Sequence, residues 1–183
     1  MAEQDVVDLL TAQHEQISTL LEQLRSGRED RQELFTELVR LLAVHESAEE
    51  EVVHPVAKRA QFGAEEMVDA RVEEEDHAKK ALAELYDLGV DHPDFSSKLA
   101  DFADAVAKHA AHEEAEEFVL LRRQYSVSQL EHWAGSVRAA EAMAPTRPHP
   151  HAGSSPAANL IAGPPLAVFD RIRDAVRDWR SQN

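Results

Sequence analysis

The chain has 183 residues, 43% of them hydrophobic, no cysteine, and a formal net charge of −16. That length holds one substantial core rather than two full domains, and the acidic surface repels nucleic acid and anionic membrane, so neither is an expected partner. The missing thiols exclude disulfides, thiolate zinc sites, iron–sulfur clusters and cysteine nucleophiles.

No apolar run approaches the ~20 residues of a membrane span. The start, Met1-Ala2-Glu3-Gln4-Asp5, lacks the basic-then-apolar order of a signal peptide, so a cytoplasmic protein is expected. Four long helical patterns come first. Helix one is expected from about Asp5 to Arg25, with Leu10, Ile17, Leu21 and Leu24 on one stripe, and Ser26-Gly27 breaks it. Helix two runs from about Arg31 to Arg59 along Leu34, Leu38, Leu41, His45, Glu49, Val52 and Val56, with Pro55 set to kink or shorten it. Helix three runs from about Ala64 to Leu88 through Met67, Ala70, His77, Ala81, Leu85 and Leu88; Gly89 and Pro93 bracket the next turn. Helix four runs from about Asp94 to Tyr125 along Leu99, Phe102, Val106, His109, Glu113 and Leu120. Each stripe has the three-and-four spacing of one buried helix face.

The rest differs in kind. Ser128 and Glu131 read as a capping box for a helix that reaches about Met143. The segment from Pro145 to Pro165 is rich in Pro, Ala, Gly and Ser and reads as an extended linker. A last amphipathic helix carries Phe169, Ile172, Val176 and Trp179, whose apolar face needs cover from the bundle or from a second subunit; the chain is expected as a monomer or homodimer. The expected division is residues 1–125 as a four-helix unit and 126–183 as a helical extension.

Within the first four helices the chemistry repeats. His14 sits deep in the first helix and His77 in the third; His45 and Glu49 in the second match His109 and Glu113 in the fourth. A His and a Glu four residues apart lie about 40° apart around a helix and one turn along it, so both reach one metal, or the Glu bridges two. The heights agree. About 12 residues separate His14 from the first turn and about 14 separate that turn from His45, a mismatch of ~3 Å between antiparallel neighbours. Two carboxylates on core faces, with no Lys or Arg on the same stripes near them, need positive charge from elsewhere. Imidazole and carboxylate together suit iron, manganese or zinc. His112 and Glu116 form a rival His-x-x-x-Glu pair, but that register would bury Lys98, Asp101 and Lys108, whereas the His109 register buries Leu99, Phe102 and Val106. Glu116, one turn past Glu113, stays a lesser candidate. His54 falls about 180° from His45 and is not expected to reach a metal directly.

His14, His45-x-x-x-Glu49, His77 and His109-x-x-x-Glu113, with the run Leu42 to Pro55, resemble the hemerythrin-type cation-binding domain over about residues 5 to 125. The resemblance implies an all-α, up-down-up-down antiparallel four-helix bundle. It also implies two non-haem iron ions bridged by Glu49, Glu113 and an oxo or hydroxo group, open to O2, H2O2 or NO. Oxygen-carrying hemerythrins have a second histidine on the third helix, four residues before the first; here that position is Glu73, a further oxygen donor. A harder set of donors turns the expectation from oxygen carriage toward catalase-like peroxide disproportionation, with oxygen or nitric oxide sensing or scavenging as the alternative. Glu74 to Asp76 read as a solvated face.

Overall fold

The computed structural model describes residues 4–27, 30–143 and 164–182. Regular structure among the described residues is helical throughout, with no strand. None of the described helices is long and apolar enough to cross a membrane.

Local chemistry sets the helix ends. Helix α1 (Val6–Arg25) opens on Asp5, whose side chain accepts from the Asp8 backbone N–H at 2.9 Å while Asp8 accepts in return from that of Asp5; Arg122 closes over both carboxylates. Helix α2 (Arg31–Ala48) continues through a wide π turn at Glu49–Val53 into α3 (His54–Ala60). Pro55, expected to disturb this helix, has no N–H for the Glu51 carbonyl, and the wide turn ends just ahead of it. Helix α4 (Ala64–Leu88) ends at Gly89, whose φ of +83° is one that residues with a side chain rarely adopt. Helix α5 (Phe95–His112) passes through a second wide turn, Glu113–Glu117, into α6 (Phe118–Gln124). Both wide turns begin at the repeated glutamate.

Helix α7 (Val127–Met143) starts two residues earlier than the expected box. Ser126 and Gln129, not Ser128 and Glu131, exchange the capping bonds: Gln129 Oε1 accepts from the Ser126 N–H at 3.0 Å and Ser126 Oγ accepts from the Gln129 N–H at 3.4 Å. Helix α8 is Pro165–Gln182. Most of the proline-rich linker, with His149 and His151, lies outside the described residues, as do the side chains of Val176 and Trp179.

Helix α1 packs on α2 and α5, and α4 packs on α5 and α3. The apolar side chains form two clusters. One gathers Ile17, Leu24, Leu38, Leu82, Phe95 and Phe102 with their neighbours; the other gathers Val6, Leu10, Val52, Val68, Phe118 and Leu121. Along each helix the switch between clusters falls at polar residues: His14 in α1, His45 and Glu49 in α2 and its wide turn, Glu75 in α4, His109 and Glu113 in α5 and its wide turn. A buried polar layer therefore divides the core.

The extension completes this arrangement. Helix α8 lies on α2, α4 and α7, adding Val168, Phe169 and Ile172 to the first cluster; α7 lies on α1 and α2 and adds Leu130, Ala134 and Val137 to the second. Between them they leave α2 buried on every side, from Leu38 through Ala48. A helix buried all round, on Arg40, His45, Glu46 and Ser47 as well as on apolar residues, shows little amphipathic contrast, and its sequence stripe captures three of its twelve buried residues, Leu38, Leu41 and His45.

Candidate metal centre

Each histidine of the polar layer spends one ring nitrogen on an acceptor outside the layer and aims the other inward. His14 Nδ1 donates to Glu114 Oε1 at 2.8 Å, His45 Nδ1 to Gln13 Oε1 at 2.9 Å, and His109 Nδ1 to Glu74 Oε2 at 3.1 Å. With the proton on Nδ1, Nε2 carries the lone pair that a metal needs. His14 Nε2 and His45 Nε2 then face each other at 3.1 Å, and His14 Nε2 stands 3.2 Å from Glu113 Oε2. Phe118 stacks parallel to the His14 ring, 5.7 Å between centroids, and closes that side with hydrocarbon.

The donor atoms fall into two sets. His14, His45, Glu49 and Glu113 form one, and Glu49, Glu75, His109 and Glu113 the other; within each set the donor atoms lie within 4.8 Å of one another. Glu49 and Glu113 belong to both and are fully buried. Both oxygens of Glu49, Glu113 Oε1, Glu75 Oε2 and His109 Nε2 are buried without a hydrogen-bond partner. Unpaired buried carboxylate oxygens are costly, and their convergence fits a pair of cations sharing two carboxylates.

Five residues named from the sequence, His14, His45, Glu49, His109 and Glu113, are thus brought together, and two are not. His77 and Glu73 are exposed. The buried face of α4 is Val68, Arg71, Glu75, Ala78, Leu82 and Leu85, a strict three-four alternation; His77 lies two residues past Glu75, about 200° around the helix. The stripe through Met67, Ala70 and His77 avoids charges, and the true face carries two. Glu75, read as solvated from the sequence, is 1% exposed. Glu74 is half-buried and holds both His109 and His112, the latter at 2.8 Å.

No ion pair joins a Lys or Arg to Glu49 or Glu113 among the described residues, but two cations stand on α4 beside Glu75. Arg71 and Lys79 flank Glu75 one turn to either side. Lys79 Nζ lies 3.1 Å from Glu46 and 3.6 Å from Glu75, and donates to Glu50. Neither cation relieves Glu49.

The wide turns account for two further residues. His54 should lie about 180° from His45 at 100° per residue, but a π turn holds back one residue's rotation and leaves about 80°. His54 is accordingly buried, donating from Nδ1 to Glu117 Oε1 at 2.9 Å and from Nε2 to Glu75 Oε1 at 2.5 Å. The second wide turn swings Glu117 inward and leaves Glu116 exposed. Pro55 was the sequence signal for the first shift; nothing comparable marks the second.

Electrostatics sort these groups. Burial, reinforced by His14, pushes His45 well below the ordinary histidine range, keeping it neutral. Burial opposes a charge on His109, but Glu113, Glu75 and Glu74 outweigh it and hold it at about 9. Burial likewise opposes a charge on His54, yet its bonds to Glu117 and Glu75 hold it at about 10. Burial, then the charges of Glu113 and Glu75, raise Glu49 well above the usual carboxylate range. Burial would raise Glu113 too, but His109, whose Nε2 lies 3.2 Å from Glu113 Oε1, and His14, 3.2 Å from Oε2, bring it well below that range.

The profile of the hemerythrin HHE cation binding domain matches residues 5–121. The chain belongs to the hemerythrin HHE cation-binding family. It is 27% identical over 139 residues to a protein of Nostoc sp. (strain PCC 7120) named a DNA nickase, covering 75% of this chain and 39% of that one. It is 28% identical over 140 residues to an uncharacterized hemerythrin-like protein of Schizosaccharomyces pombe, covering 75% of this chain and 68% of that one. The chain thus spans well under half of the Nostoc protein. No solved structure matches it significantly.

Proposed function

We propose that this protein is an antiparallel four-helix bundle holding two non-haem iron ions, and that it disproportionates hydrogen peroxide. The observation that carries the reading is the pair of donor sets sharing Glu49 and Glu113, with oxygens that nothing in the protein satisfies. The bundle reading rests on the order of the two apolar clusters, which reverses from α1 to α2, again to α4 and again to α5.

Glu49 and Glu113 would bridge, His14 and His45 would complete one position, and Glu75 and His109 the other. Four protein donors at each leave room in a six-coordinate ion for small oxygen ligands. Two irons would supply a two-electron couple, matched to reducing one peroxide to two waters while oxidising another to dioxygen. The protein's own contribution is placement and protons. Phe118 and the apolar clusters exclude water, Gln13, Glu74 and Glu114 fix the ring orientations, and His54 holds a proton on Nε2 against Glu75. Glu75 in place of an imidazole makes one position oxygen-rich, which favours the ferric state and peroxide chemistry over reversible oxygen carriage.

The relative named a DNA nickase supplies a rival reading, nucleolytic chemistry at the same metals. A net charge of −16 disfavours approach to a phosphate backbone. Protein from iron-supplied cells should contain about two irons per chain, show oxo-bridged di-ferric absorption, and evolve oxygen from peroxide. Reversible spectral change with oxygen or nitric oxide, without turnover, would replace the enzyme reading by a sensor or scavenger. Nicking of supercoiled plasmid without oxygen evolution would favour the rival.

A further inference from the structure

Helix α7 lies beyond the residues that define the family match, yet it reaches a metal donor in two steps. It docks through Leu130, Ala134 and Val137, spaced four and three, and the next residue in that spacing is Glu141. Glu141 Oε1 accepts from Gln13 Nε2 at 2.8 Å, and Gln13 Oε1 accepts from His45 Nδ1 at 2.9 Å. Gln13 is 1% exposed, while the Glu141 that holds its amide stands at the surface.

The chain of bonds has a direction. A carboxylate only accepts, so Glu141 draws the NH2 of Gln13 toward itself and turns the amide oxygen toward His45. That oxygen also only accepts, so the ring proton must sit on Nδ1 and the lone pair on Nε2, 3.1 Å from His14 Nε2 and 3.4 Å from Glu49 Oε2. Without the carboxylate the amide is free to turn over and present its NH2 to His45; the proton then moves to Nε2, where it occupies the metal's place. We propose that Glu141 is a positioning residue that sets the metal-binding tautomer of His45 through Gln13, making the extension a working part of the centre. This rests on the metal reading above, but the tautomer itself does not require a metal.

The test compares wild type, Glu141→Ala, Glu141→Gln and Arg138→Ala. Arg138 donates to the Gln4 carbonyl at 2.8 Å, so its loss loosens α7 without touching Gln13. The ring nitrogens of His45 are read by nitrogen-15 NMR on metal-free protein, and ferrous iron affinity by chelator competition. Wild type should carry the proton on Nδ1. Glu141→Ala should give a mixture of tautomers and about tenfold weaker iron binding. Glu141→Gln, whose amide oxygen can accept, should restore both, and Arg138→Ala should leave the tautomer alone. A wild-type tautomer in Glu141→Ala, or an equal shift in Arg138→Ala, would overturn the proposal. Iron failing to bind wild type while the tautomer still responds to Glu141 would sink the metal reading and keep the coupling.

Discussion

Glu75→Gln is expected to lower the iron content of purified protein from about two per chain to about one, while His77→Ala leaves it unchanged. Amide for carboxylate keeps the shape of the side chain and removes the charge a ferric ion favours. The second donor set then has Glu49, His109 and Glu113, with both carboxylates already shared by the first set. His54 and Lys79 also lose a common partner, so a lower melting temperature should accompany the loss. His77 is exposed, and its removal should disturb neither metal nor melting. His45→Ala should empty the other position. Iron content, measured by elemental analysis on variants shown by circular dichroism to be folded, decides the matter. Iron lost from His77→Ala and kept by Glu75→Gln would mean that α4 is turned so that its His77 face meets the metals.

The second large effect is on stability against pH, and it differs between metal-free and metal-loaded protein. In the metal-free protein His54 is held at about 10 and His109 at about 9, both above the 6.5 of an unperturbed histidine. A group whose pKa is raised by folding contributes stability in full below its unfolded value and loses it as pH rises through the folded one. Burial, with help from Glu75 and against Lys79, raises Glu46 to about 8 from 4.5; Glu49 is raised as well. Both carboxyls therefore add to the decline as pH rises. His45, lowered by burial, and Glu113, lowered by His109 and His14, act in the opposite sense, but only below about 6.5 and 4.5. From about pH 7 to about pH 10 every one of these groups points the same way, and the metal-free melting temperature should fall. A metal must displace the protons held by its own donors Glu49 and His109, so apparent affinity should rise about tenfold per pH unit for each proton released. The gap in melting temperature between loaded and metal-free protein should widen steadily from pH 7 to about pH 9. A constant gap, or a metal-free protein that grows more stable across this range, would contradict the charge states assigned to the layer.

The sequence shows the helices because their apolar periods are long, and it shows His14, His45, Glu49, His109 and Glu113 because each lies on a stripe that is otherwise apolar. It misleads on α4, where the core face carries Arg71 and Glu75; charged residues on a buried face erase the contrast from which a stripe is read. A heptad-regular alternative, Val68, Arg71, Glu75, Ala78, Leu82 and Leu85, was present in the spacing, though not in the hydropathy. It also misleads on His54 and Glu116, because each wide turn resets the phase of everything after it and one rotation per residue no longer holds. The extension is illegible for another reason. Docking of α7 and α8 depends on α2 offering buried residues beyond its sequence stripe, and Glu141 gains meaning only from Gln13, 128 positions earlier.

Crystals grown from iron-supplied protein and measured on both sides of the iron absorption edge test the central claim most directly. Two anomalous peaks per chain, about 3.5–4 Å apart, are predicted, one among His14, His45, Glu49 and Glu113 and the other among Glu49, Glu75, His109 and Glu113. A single peak, or peaks away from the two shared glutamates, would contradict it.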